Sequence, residues 1–407
     1  MVLVKLSFCI LGLLYVVGAT QFLVSLKESE TLSDFYSYNV DSMGSQDVQE
    51  MINKSFSIGE FKGFYGELSK QAIARLKKCP LVADLSEDTF VRAFDVVTQE
   101  DAPRHLARLS QEESLGDSVS LDYFYESDAT AAGVNVYVLD SGITIEHPQF
   151  DGRAIRGPDF TDEGLGDYNG HGTHVAGLIG STDFGVAKNV SLIDIKTLDR
   201  YGAGTLTSII AALDYVVRHA ETSGVPSVVN LSLGALKNNI LNKAINAAQK
   251  TGLVVVVAAG NSNRNACGIS PASASRAITV GAIDDFTDAL ADFSNWGRCV
   301  DIFSSGVRVS SLSFFDFEKP EILSGTSMAA PIVSGLASNF LSMGIPYDDI
   351  KDYIVALSAK NYIYKPSLFL KHRTPNRIAN NGLVIPDESD NDESDFNEDV
   401  DDNPIDI

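Results

Sequence analysis

Basic residues are scarce in this sequence relative to acidic ones. Its 407 residues include 31 Lys and Arg against 54 Asp and Glu, which gives a net charge of −23. Residues 387–407 hold 11 of the acidic residues and no basic one, so about half of the excess lies in one terminal segment. Binding to duplex nucleic acid or to an anionic membrane requires a basic stripe, and none is present. The composition therefore disfavours nucleic-acid binding.

Long apolar runs are also absent beyond the first twenty residues. The longest dense run, 253–259, suits a buried strand rather than a membrane span. Near the start, Lys5 precedes an apolar run over residues 6–17, and small residues follow at 17–19. This pattern predicts a secretory signal peptide over residues 1–19, with an uncleaved membrane anchor as the alternative. We therefore expect a protein of the secretory pathway whose mature form has no transmembrane segment.

Cysteine is rare, with 4 residues in the whole chain. Cys9 lies in the predicted signal peptide, and Cys79 lies in a segment that is expected, as argued below, to be removed. Cys267 and Cys299 would then remain. In an oxidising lumen two such cysteines are expected to pair, and the alternative is two buried thiols that only pack.

Three N-glycosylation sequons occur, at Asn53, Asn189 and Asn230. The one at Asn230 lies inside an apolar, strand-like run, which disfavours its modification.

The chain divides into regions of different character. Residues 20–100 predict a small mixed domain, residues 101–130 an irregular polar link, and residues 386–407 a disordered acidic tail. Between them, apolar β-type runs alternate with Ala-rich helical stretches. The predicted strands are 134–139, 192–196, 228–233, 253–259 and 278–282, and the predicted helices are 171–179, 205–220, 238–249 and 327–341. Alternation of this kind predicts an α/β fold, a mainly parallel sheet with helices on both faces.

Three short segments place a reactive side chain at the end of an element. Asp140 follows an apolar strand in VYVLDSG, His171 opens a helix in NGHGTHVAG, and Ser327 opens another in SGTSMAAP. Each is explained singly as a turn, loop or cap residue. Together, in the order Asp–His–Ser, they match the subtilisin order of a catalytic triad. The segment G-T-S-M-A is not G-x-S-x-G, and His174 does not complete H-E-x-x-H, which disfavours an α/β-hydrolase and a zinc protease.

From these motifs the chain resembles the subtilisin-like serine proteases of the proteinase K branch, including their vacuolar and spore-wall members in yeast. The resemblance covers residues 20–385. Further matching blocks are GAGTLTSIIAALDYV (202–216), NLSLG (230–234), VAAGN (257–261), SPASA (270–274) and FSNWG (293–297). The resemblance implies a subtilisin-like fold preceded by a small α+β inhibitory propeptide.

The resemblance also implies a mechanism. Ser327 would attack the scissile carbonyl, His171 would act as general base and then general acid, and Asp140 would orient the imidazole. Asn261 and the Ser327 backbone N–H would bind the oxyanion. The chemistry requires no cofactor.

Two exposed edges match the family segments that pair with an extended peptide. They consist of Gly202, Ala203 and Gly204 on one side and of Ser232, Leu233 and Gly234 on the other. Ala258, Ala259 and Gly260 are candidates to line a P1 pocket that tolerates apolar side chains.

Residues 20–100 resemble the family propeptide, which templates folding and inhibits the enzyme until it is removed. Cleavage is expected near residues 98–101, before APRHLARLS (102–110). The expected domains are then a signal peptide (1–19), a propeptide (20–100), a peptidase domain (101–385) and a tail (386–407). The mature protein is expected to be a monomer.

The chain departs from the family in places, with Ile332 where a histidine is usual and FSSG (303–306) where F-A-P-G is common. A family calcium site matches Asp301 and the carbonyls of Ser275 and Ala277, although the usual proline is absent at Ser275. A structural calcium ion and its absence therefore both remain open.

The sequence as a whole predicts a serine endopeptidase made as a secretory zymogen, acting on protein or peptide substrates and inhibited by its own propeptide. Its expected location is extracellular or the spore wall, with the vacuole as the alternative. One rival is an autoprocessed wall or lumen component with little general proteolytic activity. Another is an inhibitor-like protein that acts through residues 20–100.

Overall fold

A computed structural model describes residues 21–43, 52–88, 95–117 and 121–383. The described residues form two compact units, divided between residues 93 and 94. The predicted signal peptide and the predicted acidic tail lie outside the described residues.

The first unit is a small α+β domain. Its four antiparallel strands lie in the order β2-β3-β1-β4. Phe22, Val24 and Leu26 are buried on β1, which is the alternation of a strand with one face against a core. The elements are β1 Gln21–Leu26, α1 Leu32–Met43, β2 Lys54–Ile58, β3 Phe61–Glu67, α2 Lys70–Leu76 and β4 Val82–Glu87.

The second unit is built on a 10-stranded, mainly parallel sheet in the order β19-β20-β16-β14-β12-β10-β7-β9-β8, with β15 beside β14. Its strands are β7 Asn135–Asp140, β8 Ala154–Asp159, β9 Ser191–Lys196, β10 Ser227–Leu231, β12 Leu253–Ala258, β14 Ile278–Asp284, β15 Ala289–Leu290, β16 Ile302–Ser305, β19 Ala359–Lys360 and β20 Arg377–Ile378. Short ribbons pair β5 Val96–Gln99 with β6 Tyr123–Glu126, β11 Ala235–Leu236 with β13 Ile269–Ser270, and β17 Val309–Ser311 with β18 Glu321–Leu323. The helices are α3 Arg104–Ser110, α4 His171–Gly180, α5 Leu206–Ser223, α6 Asn239–Lys250, α7 Thr326–Ser342 and α8 Ile350–Leu357.

The sheet is buried on both faces, as its continuous apolar strands predict. On β7, Val136 and Val138 join one core cluster, whereas Tyr137 and Leu139 join the other. Helices α4 and α7 contribute to the first cluster, and α5 and α6 contribute to the second. The predicted strands and helices of this region are therefore present, and the fold class is confirmed.

The predicted irregular link over residues 101–130 is wrong in part. It contains the buried helix α3 and the strand β6. Arg108 on α3 is 1% exposed and pairs with Asp288, its Nε lying 2.9 Å from Oδ1. From the sequence alone this basic segment is predicted to be a polar linker. The carboxylate that pairs with Arg108 lies 180 residues away along the chain, so the pair cannot be seen in the local sequence.

The division between the two units differs from the expected boundary at residue 100. Strand β5, Val96–Gln99, pairs antiparallel with β6 and so lies in the second unit. Gln99 also donates from Nε2 to the carbonyl of Asp183 at 2.9 Å. These contacts attach residues 96–99 to the second unit.

The structure contains the expected disulfide, with Cys267 and Cys299 joined and their Cα atoms 5.3 Å apart. Asn230 is fully buried and its side chain bonds to Ser232 and Ser334, so its sequon is inaccessible. Asn53 and Asn189 are exposed. Within the described ranges, no helix is both long and apolar enough to cross a bilayer.

Candidate active site

The candidate side chains gather at the carboxyl edge of the parallel sheet. Strand β7 ends at Asp140, and the loops after β9, β10 and β12 carry residues 202–204, residues 232–234 and Asn261. His171 and Ser327 lie in the first turns of α4 and α7. The carboxyl ends of parallel strands lie along the same edge of a sheet, so the loops that follow them lie close together. The binding sites of α/β folds lie at this edge.

Asp140 and His171 form a hydrogen-bonded pair. His171 Nδ1 lies 2.7 Å from Asp140 Oδ1, the carboxylate is fully buried, and the imidazole side chain is 25% exposed. Asp140 Oδ1 also accepts the backbone N–H of Ser141 at 2.8 Å. The buried carboxylate therefore fixes one ring nitrogen, and Nε2 is left for another partner.

Asp167 holds the turn that presents His171. Its Oδ1 accepts from Ser141 Oγ at 2.9 Å and from the backbone N–H of Gly170 at 2.8 Å. Its Oδ2 accepts from the backbone N–H and the hydroxyl of Thr173 at 3.0 and 2.6 Å. A single carboxylate thus ties the strand that ends at Asp140 to the helix that begins at His171.

The pKa values of the two histidines of α4 are shifted in opposite directions. Burial alone would lower the pKa of His171, but the charge and hydrogen bond of Asp140 and the charge of Asp167 offset it and raise the pKa. Burial lowers the pKa of His174 to about 3. His174 Nε2 lies 3.2 and 3.1 Å from the carbonyls of Val309 and Glu321. His174 is therefore a neutral side chain that joins α4 to the β17–β18 ribbon.

Ser327 lies in the first turn of α7, next to the loop after β10. Its Oγ donates to the carbonyl of Ser232 at 3.1 Å, and Ser232 Oγ donates to the carbonyl of Ser327 at 2.9 Å. The structure does not bring the Ser327 hydroxyl into a hydrogen bond with His171; its donor is directed to Ser232.

Asn261 is oriented by the residue before Ser327. Its Oδ1 accepts from both the backbone N–H and the hydroxyl of Thr326, each at 2.8 Å. The amide nitrogen is thereby turned away from Thr326, and Nδ2 lies 3.2 Å from the position that a Cβ on Gly325 would occupy. A side chain on Gly325 would therefore crowd this amide.

A cavity of about 360 Å³ adjoins Ser327 and Asn261. It is lined by Ser232, Leu233, Gly234, Ala235, Leu236, Ala258, Gly260, Asn261, Ser262, Arg264, Ile269, Asn295, Thr326 and Ser327. Of the predicted pocket residues, Ala258 and Gly260 line it, but Ala259 does not. Ala259 is fully buried, and its N–H and carbonyl bond to Val280 and Asn295. Arg264 is the one charged residue in the lining.

The two predicted substrate edges are placed differently. Gly202, Ala203 and Gly204 form an exposed turn after β9, in which Ala203 bonds through both backbone groups to Asp199. Ser232, Leu233 and Gly234 follow β10 and line the cavity. Residues 232–234 are therefore part of the cavity wall, whereas residues 202–204 do not line the cavity.

The predicted calcium ligands are only partly brought together. Asp301 and the carbonyl of Ala277 both bind the ammonium group of Lys351. Ser275 is exposed, and its hydroxyl accepts from Asn246 at 3.4 Å. Among the described residues no cluster of three or more His, Cys, Asp or Glu side chains is arranged to hold a metal ion.

Sequence reasoning missed several residues that hold the site. Lys196, 1% exposed, donates from Nζ to the carbonyl of Ser141 at 2.6 Å. Asn295 Oδ1 accepts the backbone N–H groups of Ser262 and Arg264 at 3.2 and 3.0 Å. Asn295 lies in the FSNWG block that carried the resemblance, so its motif was visible, but its partners were not.

Comparisons with known proteins identify the family to which this chain belongs. Residues 131–362 match the model of the Subtilase family. The chain is 40% identical to the subtilase-type proteinase RRT12 of Saccharomyces cerevisiae, over 92% of this chain and 85% of that protein. It is 37% identical to cerevisin of the same yeast, over 81% of this chain and 55% of that protein.

A solved structure, that of a cold-adapted subtilisin-like serine proteinase, superposes with a TM-score of 0.62 at 34% identity. It covers 70% of this chain and 100% of its own length. The family model covers every candidate site residue from Asp140 to Ser327, and all strands of the large sheet except β20. The chain belongs to the subtilase family and is a serine endopeptidase.

Proposed function

We propose that Asp140, His171 and Ser327 are the catalytic triad of this peptidase. The observation that carries the proposal is the contact of 2.7 Å between His171 Nδ1 and the fully buried Asp140. It fixes the tautomer that leaves Nε2 able to accept a proton. Ser327 opens a helix whose first turn contacts Asn261, so nucleophile and amide donor share one corner of the site.

Catalysis begins with a change of partner by the Ser327 hydroxyl. It leaves the carbonyl of Ser232, and His171 Nε2 takes its proton as Oγ attacks the scissile carbon. The imidazolium that forms is stabilised by Asp140, and the same proton then passes to the leaving amine. The raised pKa of His171 is consistent with a base that is held next to a buried negative charge.

The oxyanion would be bound by two donors. Asn261 Nδ2 is directed away from Thr326, because Oδ1 already accepts twice from that residue. The Ser327 N–H lies in the first turn of α7, where backbone donors have no acceptor within the helix. Preorganised donors of this kind lower the barrier without reorganisation during the reaction.

The substrate would bind as an extended strand between residues 202–204 and 232–234, with its P1 side chain in the 360 Å³ cavity. Ala258, Ile269 and Leu236 give this cavity apolar walls, and Arg264 adds one positive charge. We therefore expect apolar P1 residues to be accepted and acidic ones to be preferred over basic ones.

The first unit would act as the inhibitory propeptide of a secretory zymogen. Its α+β fold and its position before the peptidase domain support this role, and the Cys267–Cys299 disulfide supports an oxidising compartment. We place the mature protein outside the cell or in the spore wall, with the vacuole as the alternative, and we expect a monomer.

A fluorophosphonate probe tests the proposal directly. Purified mature protein should be labelled on Ser327, as located by peptide mass spectrometry, and Ser327→Ala should not be labelled. Ser324→Ala, which changes an exposed serine three residues earlier, is the matched control and should be labelled normally. Labelling of another serine, or none in a folded protein, would refute the assignment.

A further inference from the structure

The ammonium group of Lys351 lies among oxygen atoms that the family resemblance assigned to a calcium ion. Lys351 Nζ is 2.8 Å from Asp301 Oδ2 and donates to the carbonyl of Ala277, also at 2.8 Å. Two of the three expected calcium ligands thus bind an amino group instead.

The sheet itself fixes these oxygen atoms. Asp301 Oδ2 accepts the backbone N–H of Thr279 at 2.9 Å, and the backbone N–H of Asp301 donates to the carbonyl of Thr279, also at 2.9 Å. These bonds hold the carboxylate where β14 and β16 begin, and Ala277 directly precedes β14. The carboxylate is therefore held by backbone groups of the sheet as well as by Lys351.

The position of Lys351 along its helix is unfavourable by itself. It is the second residue of α8, where the positive end of the helix dipole opposes a cation. Its side chain is 26% exposed and that of Asp301 is 20% exposed, so the pair is largely withdrawn from water. The attraction to two fixed oxygen atoms explains why a lysine is held here.

Calcium and this ammonium group exclude each other. Calcium binds six to eight oxygen atoms at about 2.3–2.6 Å, and a lysine nitrogen 2.8 Å from two of the same atoms fills the space the ion needs. We propose that Lys351 is a built-in cation that replaces a structural calcium ion, so that stability here does not depend on calcium. The residues present do not fit the metal while Lys351 is in place.

Thermal unfolding with and without calcium tests the replacement. The mature protein is first inactivated with phenylmethylsulfonyl fluoride to prevent self-digestion, and Tm is measured by circular dichroism in EGTA and in millimolar CaCl2. The wild-type Tm should be the same in both. Lys351→Ala should lose about 3–8 °C in EGTA and recover part of this in CaCl2, because the freed oxygen atoms can bind the ion.

Two further variants make the result specific. Lys351→Ala combined with Asp301→Asn should show no recovery in CaCl2, because the carboxylate is gone. Lys243→Ala removes an exposed lysine from helix α6 and should behave as wild type in both solutions. If Lys351→Ala does not fold, Lys351→Met keeps the apolar stem without the charge and is measured in the same way.

Three outcomes would overturn the proposal. In one, the wild-type Tm rises in CaCl2 and Asp301→Asn abolishes the rise, which would show that calcium displaces Lys351. In the second, Lys351→Ala is destabilised but calcium restores nothing, which would make Lys351 an ion-pair partner only. In the third, Lys351→Ala and wild type melt alike, which would leave the contact without consequence.

Discussion

The orientation of one amide, that of Asn261, decides whether it can serve the reaction. Thr326 donates twice to Oδ1, so Nδ2 is presented to the site and not buried against the helix. A donor that acts in the transition state contributes to turnover and little to ground-state binding.

Asn261→Ala should therefore lower kcat by about 10²–10³-fold with a small change in KM. Steady-state kinetics on a fluorogenic peptide measure both values. Asn263→Ala, which removes an exposed amide two residues further on, should leave kcat unchanged. A large rise in KM at constant kcat would instead assign Asn261 to substrate binding.

Among the described residues that line the proposed P1 cavity, Arg264 is the charged one, and its side chain is exposed. An exposed charge acts through a high dielectric, so its effect on a bound ligand is modest. Peptides that differ only at P1 should be cleaved with kcat/KM about 2–5-fold higher for Glu than for Lys.

Arg264→Gln should remove that preference and leave cleavage after Leu unchanged. Arg298→Gln, an exposed arginine outside the cavity lining, is the matched control and should keep it. Raising the salt concentration should weaken the preference of the wild type. A preference that survives in Arg264→Gln would locate its cause elsewhere.

The pH dependence of activity should report on His171. Its pKa is raised above the ordinary value of 6.5, and the base must be neutral to accept a proton. The value of kcat/KM should thus fall as the pH falls through this raised pKa. We call this fall the acid limb of the pH profile, and its midpoint should lie above pH 6.5.

Asp167→Asn removes one of the charges that raise this pKa, so its acid limb should move to lower pH. Asp162→Asn, which neutralises an exposed carboxylate in the same loop, should leave the limb in place. If Asp167 only held the turn, its loss would lower kcat/KM at every pH without moving the limb.

Several residues of the candidate site could be predicted from the sequence because each lies in a recognisable segment beside the end of a strand or helix. Asp140, His171, Ser327 and Asn261 are of this kind. Asp167 and Lys196 both bind Ser141, which lies 26 and 55 residues away from them along the chain. Such partners become visible only when the chain is folded. The same limit explains why Ala259 was mistaken for a pocket residue beside Ala258 and Gly260.

At the scale of elements, periodicity predicted long, regular segments well. Strands β7, β9, β10, β12 and β14 are buried along almost their whole length, and their ends differ from prediction by at most two residues. Short elements such as α8 and β16 carry too few residues to show a period. Helix α3 was not predicted for a different reason. An arginine in the sequence indicates an exposed residue, and the buried ion pair of Arg108 with Asp288 is not visible there.

The ion pair of Arg108 should matter more than any exposed pair. Arg108 and Asp288 are 1% and 3% exposed, whereas Arg218 and Asp214 are 70% and 64% exposed. Arg108→Ala leaves a buried carboxylate without its partner and should cost about 3–5 kcal/mol in the free energy of unfolding.

Denaturant unfolding of the inactivated mature protein measures this difference. Arg218→Ala, the matched control on an exposed helix face, should cost less than about 1 kcal/mol. Equal losses in the two variants would mean that α3 does not depend on its buried pair.

At the scale of the whole molecule, the two units follow one another in a single chain, and the proposed maturation would separate them. If the peptidase domain releases its own propeptide, abolishing the nucleophile must stop processing. Ser327→Ala, expressed in a host without related proteases, should accumulate as a precursor about 80 residues longer than the mature wild type. Ser324→Ala should mature normally.

Mass measurement of the mature wild type also locates the cleavage. Strand β5 pairs with β6 inside the second unit, so a cut between residues 98 and 101 would separate most of β5 from the helix that follows it. A cut before Val96 would keep the ribbon intact, and we expect a mature N-terminus there for that reason. A terminus at residues 99–102 would show that β5 is released with the propeptide. Equal processing of wild type and Ser327→Ala would show that a second protease performs the cleavage.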